Sequence, residues 1–327
     1  MDKRFVIHGA GAIGGTIGGR LFQHGHDVVL VARGRHGEVC RDEGLVLRTA
    51  DDEVRLAVPT VLHPDDLGPL DPERDVVVLA MKTQDTPDAL DALSAVAPPA
   101  TPIVCAQNGV ENERLALRRF ANVHAMCVML PATHLEPGVV EVSGTPVAGI
   151  LDVGRYPQGV DETTEAVAAA LDGHGFSSHA VPDVMRRKYA KLLMNLGNAL
   201  DAACGSEARR SPLMAMAREE ARACFAAAGI DYASEEEDRA RRGDIVQVKP
   251  IGGKPRGGGS TWQSLARGTG RTEVDALNGE IVLLGRLHGV PTPVNALLQE
   301  VATRLAREGA APGSVDVAEL EAAAGVR

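Results

Sequence analysis

Apolar residues follow two rhythms along this chain, and the change of rhythm divides it. In the first half, short and nearly continuous apolar runs alternate with stretches of helical periodicity. Arg4-Phe5-Val6-Ile7-His8, Asp27-Val28-Val29-Leu30-Val31, the run from Asp75 to Met81, Pro102–Gln107 and Val123–Leu130 read as strands. Such runs lack polar alternation when both faces of a parallel sheet are covered. Asp85–Val96, a segment through Leu115, and Thr163–Leu171 read as helices. Leu45–Arg48 and Val54–Val58 form a smaller β-rich stretch, Val139–Val142 is expected to pair with Pro146–Leu151, and Ser177–Val181 reads as a last strand. The alternation predicts an α/β fold, a Rossmann-type doubly wound sheet. From Pro182 the pattern turns almost wholly helical. The exceptions are a Gly- and Pro-rich stretch at Lys249–Gly259, expected to be a flexible loop, and an Ala-rich tail from Gly309, expected to be partly mobile. Two domains are therefore expected, 1–181 as the doubly wound unit and 182–327 as an all-helical one.

Composition narrows the class. With 327 residues, 44% of them hydrophobic, the chain is long enough for two cores. A net charge of −10 without a long basic run argues against nucleic acid as a partner. No apolar stretch reaches membrane-spanning length, and an early first strand leaves no room for a signal peptide. The five cysteines are scattered, which predicts reduced thiols in a cytoplasmic protein, without a disulfide framework or a metal site.

The strongest chemical signal is Gly9-Ala10-Gly11-Ala12-Ile13-Gly14, a G-x-G-x-x-G run directly after a strand and before a helix pattern. The first glycine permits the tight turn, the second lets a pyrophosphate approach the backbone, and the third lets helix pack on strand. A plain glycine-rich turn is the alternative. The second strand ends on Arg33, with Arg35 and His36 close behind, where an NAD site carries a carboxylate. Cations there suit the 2′-phosphate of NADP; solvated surface arginines are the other reading.

In the second half, Asn195 falls about 40° and Asn198 about 20° from Lys191 around a helix otherwise lined by apolar residues, mostly leucines. Such a stripe lines a wet cleft or faces solvent. Farther on, Ser260-Thr261-Trp262-Gln263-Ser264-Leu265 precedes Thr272-Glu273, where Thr272 is expected to cap a helix running from Glu273 to His288. Taken alone, Glu273 there would complement the helix dipole.

These runs, with Met81-Lys82-Thr83, Gln107-Asn108-Gly109-Val110, Glu273-Val274-Asp275-Ala276-Leu277-Asn278-Gly279 and Gly289-Val290-Pro291-Thr292-Pro293, resemble the ketopantoate reductase family in collinear order over nearly the whole chain. The resemblance implies an N-terminal Rossmann domain that binds NADPH and a helical domain that closes over it. It also implies a 2-oxo acid held between them, 2-dehydropantoate being reduced to pantoate. Lys191 then matches the general acid and Glu273 the carboxylate that orients substrate and lysine. Asn195 and Asn198 match substrate-binding amides. Thr261, with Ser260 beside it, falls where a serine binds the substrate carboxylate. Asn108 matches a residue beside the nicotinamide, and Lys82 a lysine near the cofactor and active site. Two positions depart from the family: the second asparagine comes three residues after the first instead of four, and Gly258 replaces an asparagine. They motivate the alternatives of a reductase of the 6-phosphogluconate dehydrogenase-like group acting on another keto acid, and of a non-catalytic NADP-binding sensor. The expected partners are a small 2-oxo acid and, for assembly, a homodimer. Domain closure is expected, with Gly257-Gly258-Gly259 as a flexible element.

Overall fold

Alternate residues of the first strands go to opposite sides of one sheet. Phe5 and Ile7, Val28 and Leu30, Val76 and Val78 enter one apolar cluster. Val6, Val29, Val31, Val77 and Leu79 enter another on the opposite face. Both faces being covered, every residue of these runs can be apolar, and that is the origin of the unbroken hydrophobic stretches. The computed structural model describes residues 3–254 and 256–326.

In chain order the strands are β1 (Arg4–His8), β2 (Asp27–Val31), β3 (Leu45–Thr49), β4 (Glu53–Leu56), β5 (Thr60–Val61), β6 (Asp75–Leu79), β7 (Ile103–Cys105), β8 (Val123–Met129), β9 (Ala132–Thr133), β10 (Val139–Val142), β11 (Gly144–Pro146), β12 (Gly149–Arg155), β13 (Phe176–Ser177) and β14 (Val246–Val248). The large sheet runs β13-β12-β8-β7-β6-β1-β2-β5. Its strands from β8 to β5 are parallel, in the third-second-first-fourth-fifth-sixth order of a Rossmann sheet. Helices α1 (Ala12–Gln23), α2 (Gly34–Glu43), α3 (Thr86–Ser94), α4 (Asn112–Leu117) and α5 (Glu162–Leu171) connect these strands.

The expected pairing of Val139–Val142 with Pro146–Leu151 does not occur. β10 lies parallel to β3 and antiparallel to β9, whereas β12 lies antiparallel to β8. Val140 and Val142 are half of an alternating strand with one face on α1, so a small four-stranded sheet suffices. β12 is buried over six consecutive residues and needs the two-sided sheet. The strand expected at Ser177–Val181 shortens to Phe176–Ser177, with a single bridge from Ala180 to Val153.

The chain divides into two units, Met1–Lys188 with Glu235–Arg256, and Tyr189–Ser234 with Gly257–Arg327. A single division before Pro182 was expected. The first unit instead keeps the start of α6 (Val184–Asn195) and recovers α9 (Glu235–Arg242) and β14. The reason is a buried acid. Asp152 on β12 is 2% exposed and takes Arg187 of α6 at 2.8 Å and Arg241 of α9 at 2.7 Å. A carboxylate at that depth requires cationic partners. β14 pairs with β11, and Lys249 N–H donates to the Ser143 carbonyl. The expected flexible loop is thus fastened at its start; its Pro255 lies outside the described residues.

The second unit is helical: α7 (Gly197–Cys204), α8 (Pro212–Ala228), α10 (Ser260–Ala266), α11 (Asn278–His288), α12 (Pro293–Glu308) and α13 (Val317–Ala323). The tail expected to be mobile packs instead. Gly313 and Val315 donate backbone hydrogen bonds to Ala202 and Ala203, and Leu320 of α13 is buried. Among the described residues no helix is long and apolar enough to cross a membrane.

Lys188 is the last residue of the first unit before the chain leaves it. Its ammonium is buried with Glu113 of α4 and donates to the Gln107 carbonyl at 3.0 Å. Glu113 is fully buried, and its Oε2 has no hydrogen-bond partner. Removing the cation alone leaves this carboxylate uncompensated. Lys188→Met is therefore expected to destabilise the protein by about 3–5 kcal/mol, read as a lowered urea midpoint. Adding Glu113→Leu should restore most of the loss.

Candidate active site

In the first unit the glycine run sits where β1 turns into α1. Gly9 has φ +100°, and a Cβ there would lie 2.6 Å from the backbone nitrogen of Met81. At Gly14 a Cβ would lie 1.9 Å from the Gly9 carbonyl oxygen. Both positions are closed to any side chain by backbone atoms. Gly11 is the opposite case, with nothing within 4 Å of where its Cβ would be. It precedes α1 without a side-chain cap, and no acidic residue stands in the first turn. A 12-residue helix thus begins beside a residue with open space in place of a side chain, which suits a diphosphate at its leading N–H groups. Ala10 is buried, and Ala12 and Ile13 pack against the core, holding the turn in place.

Arg33 ends the second βα turn as the residue that leads into α2. Its guanidinium is 75% exposed and 2.9 Å from Asp85, so it stays accessible to a solvent-borne phosphate. His36 does not add to a cationic face. Its Nε2 lies 2.7 Å from the Ala10 carbonyl oxygen, and Gly138 N–H points at its Nδ1 at 2.9 Å.

Lys82 leads into the turn Thr83–Asp85 after β6, and Asn108 lies in the loop after β7. A buried polar network joins those two loops. Gln107 Nε2 donates to the Met81 carbonyl at 3.1 Å and to Thr86 Oγ1 at 2.8 Å. Thr86 Oγ1 donates to Asn112 Oδ1 at 2.8 Å, and Asn112 Nδ2 reaches Thr83 Oγ1 at 3.1 Å and the Asn108 carbonyl at 3.3 Å. These residues hold the backbone around Lys82 and Asn108. Sequence reasoning picked out the runs holding Thr83 and Gln107 but missed Thr86 and Asn112, because a threonine and an amide near strand ends read as ordinary turn residues.

In the second unit, Lys191 is half-buried on α6. The expected stripe crosses from α6 to α7 at Leu196, which keeps helical angles of φ −56° and ψ −30°. Asn195 is buried and its side chain makes no hydrogen bond among the described residues. Asn198 is already engaged: its Oδ1 accepts from Arg209 at 2.7 Å, leaving its NH2 to donate elsewhere. The adjacent Asp201 accepts the Gly259 N–H at 3.2 Å, which fixes the entry to α10. Just inside that entry, Ser260 Oγ and Thr261 Oγ1 are buried without a hydrogen-bond partner. Buried hydroxyls are rarely left so.

Glu273 is buried, but it does not start a helix. A short turn, Val274–Ala276, follows it, the backbone breaks at Leu277 (φ −115°, ψ −88°), and α11 begins only at Asn278. Thr272 Oγ1 meets the Val274 N–H at 3.5 Å, a turn contact and not a helix cap. The break has a cause in Asn278, whose Nδ2 donates to the Leu196 carbonyl at 3.2 Å and to Asn295 Oδ1 at 3.1 Å. That fixes α11 to the α6–α7 junction. Gly257 and Gly258 have a packing reason as well: a Cβ on either would lie 2.5 Å from the Trp262 ring system, which crosses both. Among the described residues, no group of three or more His, Cys, Asp or Glu is arranged to hold a metal ion.

A Rossmann-ordered sheet with an open glycine turn, followed by a helical unit, defines an α/β protein of the dinucleotide-binding type with a second, helical unit. The chain belongs to the ketopantoate reductase family: residues 5–158 match the model described as ketopantoate reductase PanE/ApbA, and residues 183–306 match its C-terminal counterpart. A 2-dehydropantoate 2-reductase of Archaeoglobus fulgidus is 30% identical over 305 residues, covering 90% of this chain and 95% of the relative. The crystal structure of a PanE/ApbA family ketopantoate reductase from Ralstonia eutropha JMP134 is 28% identical, with a TM-score of 0.78 over 94% of this chain and 99% of that one. The ternary structure of D-mandelate dehydrogenase with NADH and anilino(oxo)acetate shares the fold, with a TM-score of 0.77 at 22% identity over 94% of this chain and 99% of that chain. The family is one of NAD(P)-dependent oxidoreductases acting on a CH–OH group.

His8, at the end of β1 beside this turn, gives a test of the local electrostatics. Burial above all, then the positive fields of His63 and Arg33, lower its pKa to about 4. The unfolded chain takes up this proton near pH 6.5 and the folded one only near 4. Stability is full above the higher value and falls by about 1 kcal/mol per pH unit between them. His8→Gln should flatten the decline of the urea midpoint from pH 6.5 to 4 by that amount. An unchanged slope would remove His8 from the acid response.

Proposed function

We propose that this chain reduces the ketone of 2-dehydropantoate (ketopantoate) to the hydroxyl of pantoate with NADPH, in the cytoplasm. The observation that carries the reading is the pair of buried hydroxyls without partners, Ser260 Oγ and Thr261 Oγ1, together with the buried residue Asn195, on the unit that also bears Lys191 and Glu273. The Archaeoglobus fulgidus relative cited above bears the name of this reaction. All five cysteines are free thiols, which agrees with a reducing compartment.

Residues within 1–181 would bind the dinucleotide and those within 182–327 the acid. Gly9, Ala10, Gly11, Ala12, Ile13 and Gly14 would hold the diphosphate on α1, Arg33 the 2′-phosphate, and Lys82 and Asn108 the nicotinamide end. NADPH supplies the hydride. The Ser260 and Thr261 hydroxyls donate to the substrate carboxylate, and Asn195 and the Asn198 NH2 hydrogen-bond the acid. Lys191 Nζ–H faces the ketone oxygen. As negative charge grows on that oxygen, the ammonium stabilises it and passes one proton to it, then regains one from water. Glu273 holds the substrate and the lysine in register.

One observation favours a second reading. The Trp262 ring fills the space that a side chain at 258 would need, so the amide contact that the family resemblance places there is replaced by an indole. A different branched 2-oxo acid would then be the substrate of the same chemistry. Assaying wild-type protein on a panel of 2-oxo acids with NADPH decides between the two, since each predicts a different best substrate. Lys191→Ala should lower kcat by about two to four orders of magnitude; full activity in that variant would overturn the mechanism. Arg33→Ala should weaken NADPH about ten- to a hundredfold, the scale of one lost charge-assisted hydrogen bond, while leaving NADH unaffected. A wild-type preference for NADH would overturn the assignment of Arg33.

A further inference from the structure

We propose that His36 is a positioning residue for the dinucleotide turn, acting through a single peptide group, that between Ala10 and Gly11. The inference rests on the cofactor reading above and on contacts within the first unit.

His36 stands in the first turn of α2, and its ring reaches back to the β1–α1 turn. The backbone N–H of Gly138 can only donate, so Nδ1 at 2.9 Å must accept. The ring proton then resides on Nε2, which donates to the Ala10 carbonyl oxygen at 2.7 Å. The tautomer follows from the geometry and leaves no freedom to exchange roles. The ring is held on other sides too. His134 lies with its ring centroid 4.1 Å away, and Cys40 Sγ, one helical turn on, lies 3.7 Å from Nε2. Burial pushes the Cys40 thiol up to about 11, so the sulfur beside the ring is uncharged.

The consequence runs through the planarity of the peptide bond. In a trans peptide the C=O and the following N–H point in opposite directions. Drawing the Ala10 carbonyl toward His36 turns the Gly11 N–H the other way. That N–H has no partner among the described residues, and Gly11 is the one glycine of the run with open space around it. His36 thereby presents a backbone donor to the pyrophosphate, in a run of small residues that would otherwise let the peptide rotate. Without the clamp, binding must first restore that orientation, which weakens affinity.

The test separates this from general damage to α2. Dissociation constants for NADPH and for adenosine 2′-monophosphate are measured by calorimetry on wild type, His36→Phe, His36→Gln and His36→Asn. Adenosine 2′-monophosphate carries the 2′-phosphate but no pyrophosphate. His36→Phe, which keeps the ring without its hydrogen bonds, should weaken NADPH about tenfold and leave adenosine 2′-monophosphate within about twofold. His36→Gln, whose amide can restore the donor to Ala10, should recover most of the loss; His36→Asn, which replaces only the acceptor for Gly138, should not. Equal weakening of both ligands, unchanged NADPH binding in His36→Phe, or rescue by Asn and not by Gln would each overturn the role of His36. Failure of wild type to bind either ligand would instead overturn the cofactor reading itself.

Discussion

Everything in the first unit is arranged around the contact between the β1–α1 turn and the end of β6. Gly9 lies against Met81, and Gly14 lies against Gly9. With no Cβ at either position, α1 descends directly onto the sheet, and its N-terminus opens above Gly11. A methyl group at Gly14 would displace α1 from β1 and β6 together, since its nearest neighbours include both Ala80 and Ile7. The close approach therefore fixes the aim of the helix, and the helix in turn supplies the donors. The amide and hydroxyl network behind Lys82 and Asn108 extends the same logic to the next two strand ends.

The second unit solves a related problem with polar side chains. Asn278 and Asn295 are fully buried. They tie the Leu196 carbonyl to α11 and α12, and Asn295 continues to the Ala217 carbonyl at 3.0 Å and Glu220 at 2.7 Å. Four helices are thereby held at one hydrogen-bonded point, although Asn278 Oδ1 is buried there without a partner, and directional contacts of this kind specify an arrangement where apolar contacts alone tolerate sliding. In sequence, Asn195 lies next to that point and Glu273 shortly before it, so both are set on the same frame of helices.

The strands of the parallel sheet were legible because two-sided burial writes itself as unbroken apolar runs. The glycine turn was legible because each glycine answers a steric demand of the same turn. Much of the rest was not, for reasons that recur. Val139–Val142 and Gly149–Arg155 are both β-rich, and only their different burial, one face against two, sends them to different sheets. Lys188 sits in a run of basic residues that reads as solvated, yet its partner Glu113 lies 75 positions away. His36 was read by charge class beside Arg33, whereas its role depends on an acceptor 26 residues before it and a donor 102 residues after it. Long-range pairings of single polar atoms leave no local periodicity to read.

The path of the chain between its two units constrains how the molecule can be made. It leaves the first unit after Lys188, returns at Glu235 and departs again after Arg256. Until Arg241 and Val246–Val248 have been synthesised, β11 lacks its pairing partner and Asp152 has Arg187 but not its second arginine. During translation, domains generally complete in order from the N-terminus. Here the nucleotide unit cannot finish until a long helical stretch, Tyr189–Ser234, has already emerged. The two units are thus successive in architecture but interleaved in assembly, and a cut after Lys188 would strip the first of the arginine and the strand that close it.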